Sequence, residues 1–196
     1  MAKIKPGKNS SKKEVIIKKA AYLFKTKSYS SSSMRELAEV VGVEAPSLYN
    51  HIGSKSEILY SICFKVADAF TSFSDSTENN VGDQSLQLEK VIRFHIRTTL
   101  DNFDEVYVAN HEWKHLKEPH LSNFLNQRRN YEKRLITLIE MGIQAGIFKT
   151  SNPYVTVLTI LSAVRGLEFW QQHKKNIADQ VLEEDMVNHL LNGIIK

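Results

Sequence analysis

SSMRELAEVVGVEAPSLYNHIGSK, residues 32–55, decides the fold. Ser33 and Glu36 have the S-x-x-E spacing of a capping box, in which the serine oxygen takes an orphan amide and the glutamate reaches back to the cap. A helix therefore starts there. Met34, Leu37, Ala38 and Val41 recur at helical spacing, and Gly42 is the residue type best able to take the left-handed conformation that ends a helix. Val43 is expected to plug the turn. Glu44 to Ile52 then form a second short helix, with Pro46 in its first turn, where the missing amide costs nothing. Gly53 ends it, and Ser54 with Glu57 opens another helix by a further capping box. Helix, glycine-containing turn and short helix make the helix-turn-helix unit that reads DNA.

Upstream, Ser11 and Glu14 form one more capping box. Val15, Ile16, Ala20, Leu23 and Phe24 give the apolar stripe of a helix reaching about Thr26, and Tyr29 in the following loop is expected to seal the small core. Residues 1–10, MAKIKPGKNS, carry three lysines and nothing that buries a face, so they read as a flexible basic arm. Downstream, a long helix from Ser54 to about Ser74 aligns Ile58, Ile62, Val66, Phe70 and Phe73. Residues 75–85 are polar and turn-rich.

Helical patterns follow from about Leu86 to Asn102, with His95 among the apolar positions, from Asp104 to Leu116, and from His120 to Gln144, ended by Gly146. Two more run from Pro153 to about His173 and over residues 182–195. No segment sustains period-two alternation, so the chain is expected to be all-α, with about nine helices and no internal repeat. The domain organisation reads as a basic arm, 1–10, a helix-turn-helix domain, 11–59, and a helical body, 60–196.

Composition bounds the function. A hydrophobic fraction of 42% over 196 residues supports a proper core, and the single Cys63 excludes a disulfide framework within the chain. No apolar run approaches the ~18 residues of a membrane span, and no signal peptide is recognisable, so a cytoplasmic location is expected. The net charge of +4 is unevenly placed: residues 1–60 hold 11 Lys and Arg against 5 Asp and Glu, while the remainder is slightly acidic. A basic third carried on a near-neutral body fits a phosphate-facing module.

The helix from Pro153 is apolar on two faces, Val155, Leu158, Ser162 and Phe169 on one and Val157, Leu161, Val164 and Leu167 on the other. One face meets its own core. A second copy of the chain would cover the other, with Ala163 and Gly166 allowing close approach and Val187, Leu190, Leu191 and Ile194 of the last helix adding a similar stripe. Two such helices per subunit make a four-helix bundle around a two-fold axis, and the expected state is a homodimer.

The pattern S-S-S-M-R-E-L-A-x-x-x-G-V-x-x-x-S-L-Y-x-H-I-x-S-K, from Ser31 to Lys55, resembles the tetracycline-repressor (TetR) family of bacterial transcription regulators, over about Lys12 to Leu59. Ser28 stands where that family commonly has glycine, Ile52 where an aromatic is common and Asn50 where a larger residue is frequent. The resemblance implies a ligand-binding and dimerising body, a palindromic double-stranded operator and, usually, repression. It also carries phosphate contacts to Tyr49 and His51. The geometry of a recognition helix in the major groove assigns base edges to Ala45, Pro46 and Ser47, with Asn50 affecting which bases are read. Lys55 and the helix start at Ser33 are expected to hold phosphates, and Arg35 to contact guanine or the backbone.

Asn110-His-Glu-Trp-Lys-His-Leu, followed by Gly142-x-x-x-Gly-x-Phe148, resembles a subgroup associated with acyl-CoA or lipid metabolism. The expected small-molecule effector is hydrophobic or acyl-type. Phe103, Tyr107, Trp113, Phe124, Arg165 and Trp170 are the candidate ligand-binding residues, with Arg165 placed to anchor an anionic head group. A constitutive DNA-binding protein without such a switch shares the same periodicities and is the alternative.

His111 to His115 also spell H-E-x-x-H, which on one helix would place two zinc ligands and the general base Glu112 of a peptidase. Five-residue patterns recur by chance, and the apolar stripe Val106, Ala109, Trp113 and Leu116 leaves the histidines on the opposite side with no third ligand in view. No catalytic, metal or cofactor site is expected.

Overall fold

The structure, a computed structural model, describes residues 12–76, 83–172 and 177–196. The expected basic arm, the Ser11 cap, the middle of the 75–85 loop and the end near His173 lie outside the described residues. Nine α-helices are described: α1 Lys12–Lys27, α2 Met34–Val41, α3 Ala45–Tyr49, α4 Lys55–Asp75, α5 Gln84–Asp101, α6 Phe103–His111, α7 His120–Gln144, α8 Pro153–Gln172 and α9 Asp179–Ile194. A 3-10 turn, Trp113–His115, follows α6. Among the described residues the one extended pairing is an isolated bridge between Phe148 and Ile195. None of these helices is long and apolar enough to cross a membrane.

The chain divides into two compact units, residues up to Ala67 with Asp104–Leu125, and Asp68–Phe103 with Asn126–Lys196. In the first unit Leu23 and Phe24 of α1, Leu37 of α2, Leu48 of α3 and Ile58 and Ile62 of α4 share one core with Val108, Ala109, Leu116 and Phe124. Ion pairs tie α6 into the same unit: Lys25 meets Asp104, and Lys65 Nζ lies 3.3 Å from Glu105 Oε1. Helix α6 is thus built into the unit that carries the helix-turn-helix.

Locally the caps behave as the sequence requires. Ser33 Oγ accepts from the Glu36 amide at 3.2 Å, and the Ser33 amide donates to Glu36 Oε2 at 2.8 Å. Gly42 ends α2 at φ 83°, where its amide and that of Val43 donate to the Ala38 carbonyl. These backbone bonds close the turn, so Val43 is not a plug and stands exposed. Helix α3 is shorter than Glu44 to Ile52: Glu44 is its N-cap and Asn50 its C-cap, and Ile52 reaches the core from the turn beyond. Glu57 closes the start of α4 by accepting from the Gly53 amide at 2.8 Å, while its own amide donates to Ser54 Oγ.

In the second unit Leu88, Ile92 and Ile96 of α5 pack with Leu135 and Ile139 of α7, Val157, Ile160, Val164 and Leu167 of α8 and Val187 of α9. Gly142 is required by proximity: a Cβ there would sit 2.2 Å from the Phe148 ring, whose amide donates to the Gly142 carbonyl. Arg93 binds Glu89, Glu183 and Glu184, fastening α9 to α5. The two-faced reading of α8 is seen directly. Val157, Val164 and Leu167 are buried, whereas Val155, Leu158 and Phe169 are more than half exposed and Ser162 is exposed. Helix α9 differs from expectation, because Val187 is buried and Leu190, Leu191 and Ile194 pack on the unit's own core.

Candidate nucleic-acid interface

The helix-turn-helix is held by its neighbours in a way that leaves one set of side chains outward. Leu48 is fully buried and anchors α3, while Pro46, Tyr49, Asn50 and His51 are exposed and Ala45 and Ser47 half-buried. Lys19 of α1 donates to the carbonyls of Val40 and Val41 at 2.7 and 3.2 Å, holding the C-terminus of α2, where a cation also complements the helix dipole. The Arg35 side chain is 88% exposed and only 3.6 Å from Glu39 Oε1, an arrangement that leaves the guanidinium open to a phosphate or base.

Two expected phosphate contacts have other engagements. Ser33 spends its hydroxyl on the capping box. Its partner Glu36, held by Lys27 at 2.6 Å and then by Ser33, has its carboxyl pushed down to about 2, so that a compensated negative charge occupies this helix start. The amides of Met34 and Arg35 are the groups left there for an anion. Lys55 donates to the Tyr29 carbonyl at 2.9 Å and the Ser32 carbonyl at 2.8 Å, and its ammonium lies 4.4 Å from the Tyr29 ring centre. It therefore acts within the fold, shaping the loop that delivers the Ser33 cap.

The zinc-motif geometry does not form. Helix α6 ends at His111 and the chain continues as a 3-10 turn, so His111 and His115 are not successive ligands on one helical face. His111 packs beside Tyr107, and His115 stacks on Tyr29. Among the described residues no group of three His, Cys, Asp or Glu is placed to hold a metal.

The candidate effector residues are divided. Tyr107, Trp113 and Phe124 belong to the first unit, where Phe124 is buried against Phe64 as core. Phe103, Arg165 and Trp170 belong to the second, where Arg165 is exposed and the buried Trp170 Nε1 has no acceptor among the described residues.

The second unit holds a small cleft of about 60 Å³ lined by Thr71, Gln127, Asn130, Tyr131 and Arg134. Gln127 donates to Asp68 Oδ1 at 2.9 Å and keeps a buried Oε1 without a partner. Tyr131 shares a 2.8 Å hydrogen bond with His95 Nε2, and burial, aided by Arg165, pushes the His95 imidazole down to about 3. Sequence reasoning did not select Gln127, Tyr131 or His95 as site residues. The available signal was His95, a polar residue within an otherwise apolar flank of α5.

Two separate stretches of the chain match known families. Residues 16–62 match the family described as bacterial regulatory proteins, tetR family, and residues 82–194 match the tetracyclin repressor-like C-terminal domain. Among solved structures, the chain is similar to the TetR family transcriptional regulator PfmR from Thermus thermophilus, at 23% identity and TM-score 0.79, covering 91% of this chain and 97% of that one. It is similar also to the ketosteroid transcriptional regulator KstR2 of Mycobacterium tuberculosis, at 18% identity and TM-score 0.88, over 97% and 98% of the two chains. A third is AibR, described in complex with isovaleryl coenzyme A and operator DNA, at 22% identity and TM-score 0.78, over 92% and 98%. No curated protein matches the sequence at a significant level.

Proposed function

The chain belongs to the TetR family of bacterial transcription regulators, and from that premise we propose that it is a homodimeric, ligand-responsive regulator, a repressor by the family's usual mode, that binds a palindromic operator. The observation that carries this is the doubly capped helix-turn-helix, whose α3 buries Leu48 and leaves Pro46, Tyr49, Asn50 and His51 outward. Ala45, Pro46 and Ser47 are assigned to base edges and Tyr49 and His51 to phosphates, with Arg35 beside them. Small side chains at the reading positions favour contact with thymine methyl groups and single hydrogen bonds.

The exposed face of α8 supports the dimer. Two recognition helices must meet half-sites about 34 to 36 Å apart, or a multiple, so a change in the separation of the two heads impairs both contacts together. An effector acts by favouring the arrangement that does not fit DNA. Isovaleryl coenzyme A bound to AibR supports an acyl-type or hydrophobic effector. The Gly142 and Phe148 motif lends this less weight than the sequence suggested, since the two residues pack on each other. The unpartnered Gln127 Oε1 and Trp170 Nε1 are the groups offered for a polar contact.

Selection of bound sites from a random DNA pool tests the reading. Recovery of a palindrome with half-sites one helical turn apart supports it, and a footprint without symmetry removes the dimer. Constitutive binding, which the same helical body would allow, is the second reading. Thermal shift and operator release against a metabolite panel that includes fatty acyl-CoAs separate the two. Release by no member of the panel favours constitutive binding.

A further inference from the structure

The loop between α1 and α2 is gripped from α4 and, separately, from the turn after α6. Lys55 holds the carbonyls of Tyr29 and Ser32. The second grip is the turn after α6. The His115 ring stacks on Tyr29 with centroids 5.2 Å apart and planes 27° from parallel. His115 Nε2 lies 3.3 Å from Ser30 Oγ and 3.3 Å from Glu112 Oε2. A proton on Nε2 is donated toward these two oxygens, whereas a bare lone pair would face the Glu112 carboxylate, so the contacts select the Nε2–H form.

This contact is mechanically connected. Val108, Ala109 and Leu116 are buried in the same core as the helix-turn-helix, and α6 is anchored at its other end by Lys25 to Asp104 and by Lys65 to Glu105. Tyr29 is itself locked edge-on against Phe24 at 5.2 Å. Three residues past Ser30 the chain reaches Ser33, whose hydroxyl caps α2. One aromatic stack and one hydrogen bond thus link the Trp113–His115 turn to the loop that leads into α2.

We propose that His115 is a positioning residue for operator binding: its stack on Tyr29 and its contact with Ser30 set the loop that caps α2, so that a displacement of the turn after α6 reaches the helix-turn-helix directly as well as through α4. The inference rests on the DNA-binding reading above and adds a route of regulation to it.

The test uses the full chain and the site it selects from random DNA. Affinity is measured for the wild type, His115→Ala and His115→Phe at several salt concentrations, with amide hydrogen exchange followed along the chain. His115→Ala is expected to bind about tenfold more weakly with an unchanged salt slope, because ordering is lost and no ion release is. His115→Phe keeps a ring for Tyr29 and is expected to recover part of that loss. Exchange should accelerate at the Glu36 and Leu37 amides while the buried turns of α4 around Ile62 stay protected.

Wild-type affinity in His115→Ala overturns the proposal. So does a salt slope lower by about one unit, which would make His115 a phosphate ligand. Equal weakness of the Phe and Ala variants, or exchange rising through α1 and α4 alike, would reduce His115 to a general packing residue and also overturn it. A wild type that selects no DNA defeats the DNA-binding reading and this inference together, whereas a wild type that selects DNA indifferent to His115 defeats the inference alone.

Discussion

Lys55 places its ammonium 4.4 Å from the centre of the Tyr29 ring and donates to the Tyr29 carbonyl at 2.9 Å. With the Ser32 carbonyl at 2.8 Å, two of the three N–H groups of this lysine are directed inward. A side chain in that position stabilises the loop before α2 and has little left for a phosphate. Lys55→Met, which keeps the stem and removes the charge, is predicted to lower the thermal midpoint by about 5 °C, in line with hydrogen bonds to a charged group. Operator affinity should fall with it, but the salt slope should hold at the wild-type value. A slope lower by about one unit would place Lys55 on the DNA after all.

Ser28 adopts φ 72°, a left-handed conformation that penalises any residue with a Cβ. Its own atoms partly compensate: Ser28 Oγ accepts weakly from the Ser31 amide at 3.4 Å, and its carbonyl accepts from Ser32 Oγ at 2.7 Å. Ser28→Gly removes the steric penalty and retains the carbonyl bond. The expected gain is about 0.5–1 kcal/mol after the added backbone freedom of glycine is subtracted. Urea unfolding measures it, and a lower midpoint in Ser28→Gly would mean that the serine hydroxyl outweighs the strain.

The sequence made the head legible because its signals are local. Ser33 and Glu36 are three residues apart, Gly42 follows its helix directly, and the two faces of α8 are a matter of period alone. What escaped was set by tertiary placement. Nothing near Val108 or Leu116 in the sequence says that α6 shares a core with α1 and α4, and no periodicity foretells that the chain tightens to a 3-10 turn at Trp113, undoing the His111 and His115 spacing. Ser28 departs in sequence from the family's common glycine, but its cost depends on a φ of 72° that sequence does not display. Five of the six candidate effector residues are aromatic, and a large aromatic on a helix is equally suited to a core, which is where Phe124 lies.

Gly142 and Phe148 make a direct structural prediction. A methyl at residue 142 would stand 2.2 Å from the Phe148 ring, closer than any side chain tolerates, and Phe148 is buried with no free direction to retreat. Gly142→Ala should cost about 1–3 kcal/mol of stability by overpacking. Combining it with Phe148→Leu, which vacates that space, should cost less than the sum of the single changes in a double-mutant cycle. Additive losses would show that the two residues do not act on each other.

Stability should also depend on pH through His95. Its pKa is lowered from 6.5 to about 3 by burial, with Arg165 contributing, so the folded state holds it neutral while the unfolded chain protonates it below 6.5. The unfolded state then binds more protons, and stability present above pH 6.5 is lost progressively as pH falls toward 3, at up to about 1.4 kcal/mol per pH unit for this one group. His95→Gln keeps a hydrogen-bonding partner for Tyr131 and does not titrate, so its unfolding midpoint should vary less with pH across that window. Glu36 acts lower: its carboxyl, depressed to about 2, contributes stability above 4.5 that fades as pH drops through 2, and Glu36→Gln should remove that component alone. An unchanged pH profile in His95→Gln would show that the histidine is hydrated in solution.

The exposed face of α8 bears on assembly. Val155, Leu158 and Phe169 are 53%, 51% and 69% exposed, on the side opposite the buried Val157, Val164 and Leu167. Val155 and Leu158 stand together near the start of α8 and Phe169 about 17 Å further along it, with Ser162 and Arg165 exposed between them. Among the described residues no atom lies within 4 Å of a Cβ built on Gly166, which leaves room for a second helix to approach closely there. Helix α9 brings less than its sequence stripe suggested, since Val187, Leu190 and Leu191 serve their own core, so α8 should dominate the contact. Leu158→Asp combined with Phe169→Asp is therefore predicted to give a folded monomer in sedimentation velocity, with helix content unchanged. Because each head then binds a half-site alone, operator affinity should fall at least about a hundredfold, while a DNA bearing one half-site should be bound as weakly by the wild type as by the variant. A variant that remains dimeric would locate the two-fold contact on another surface.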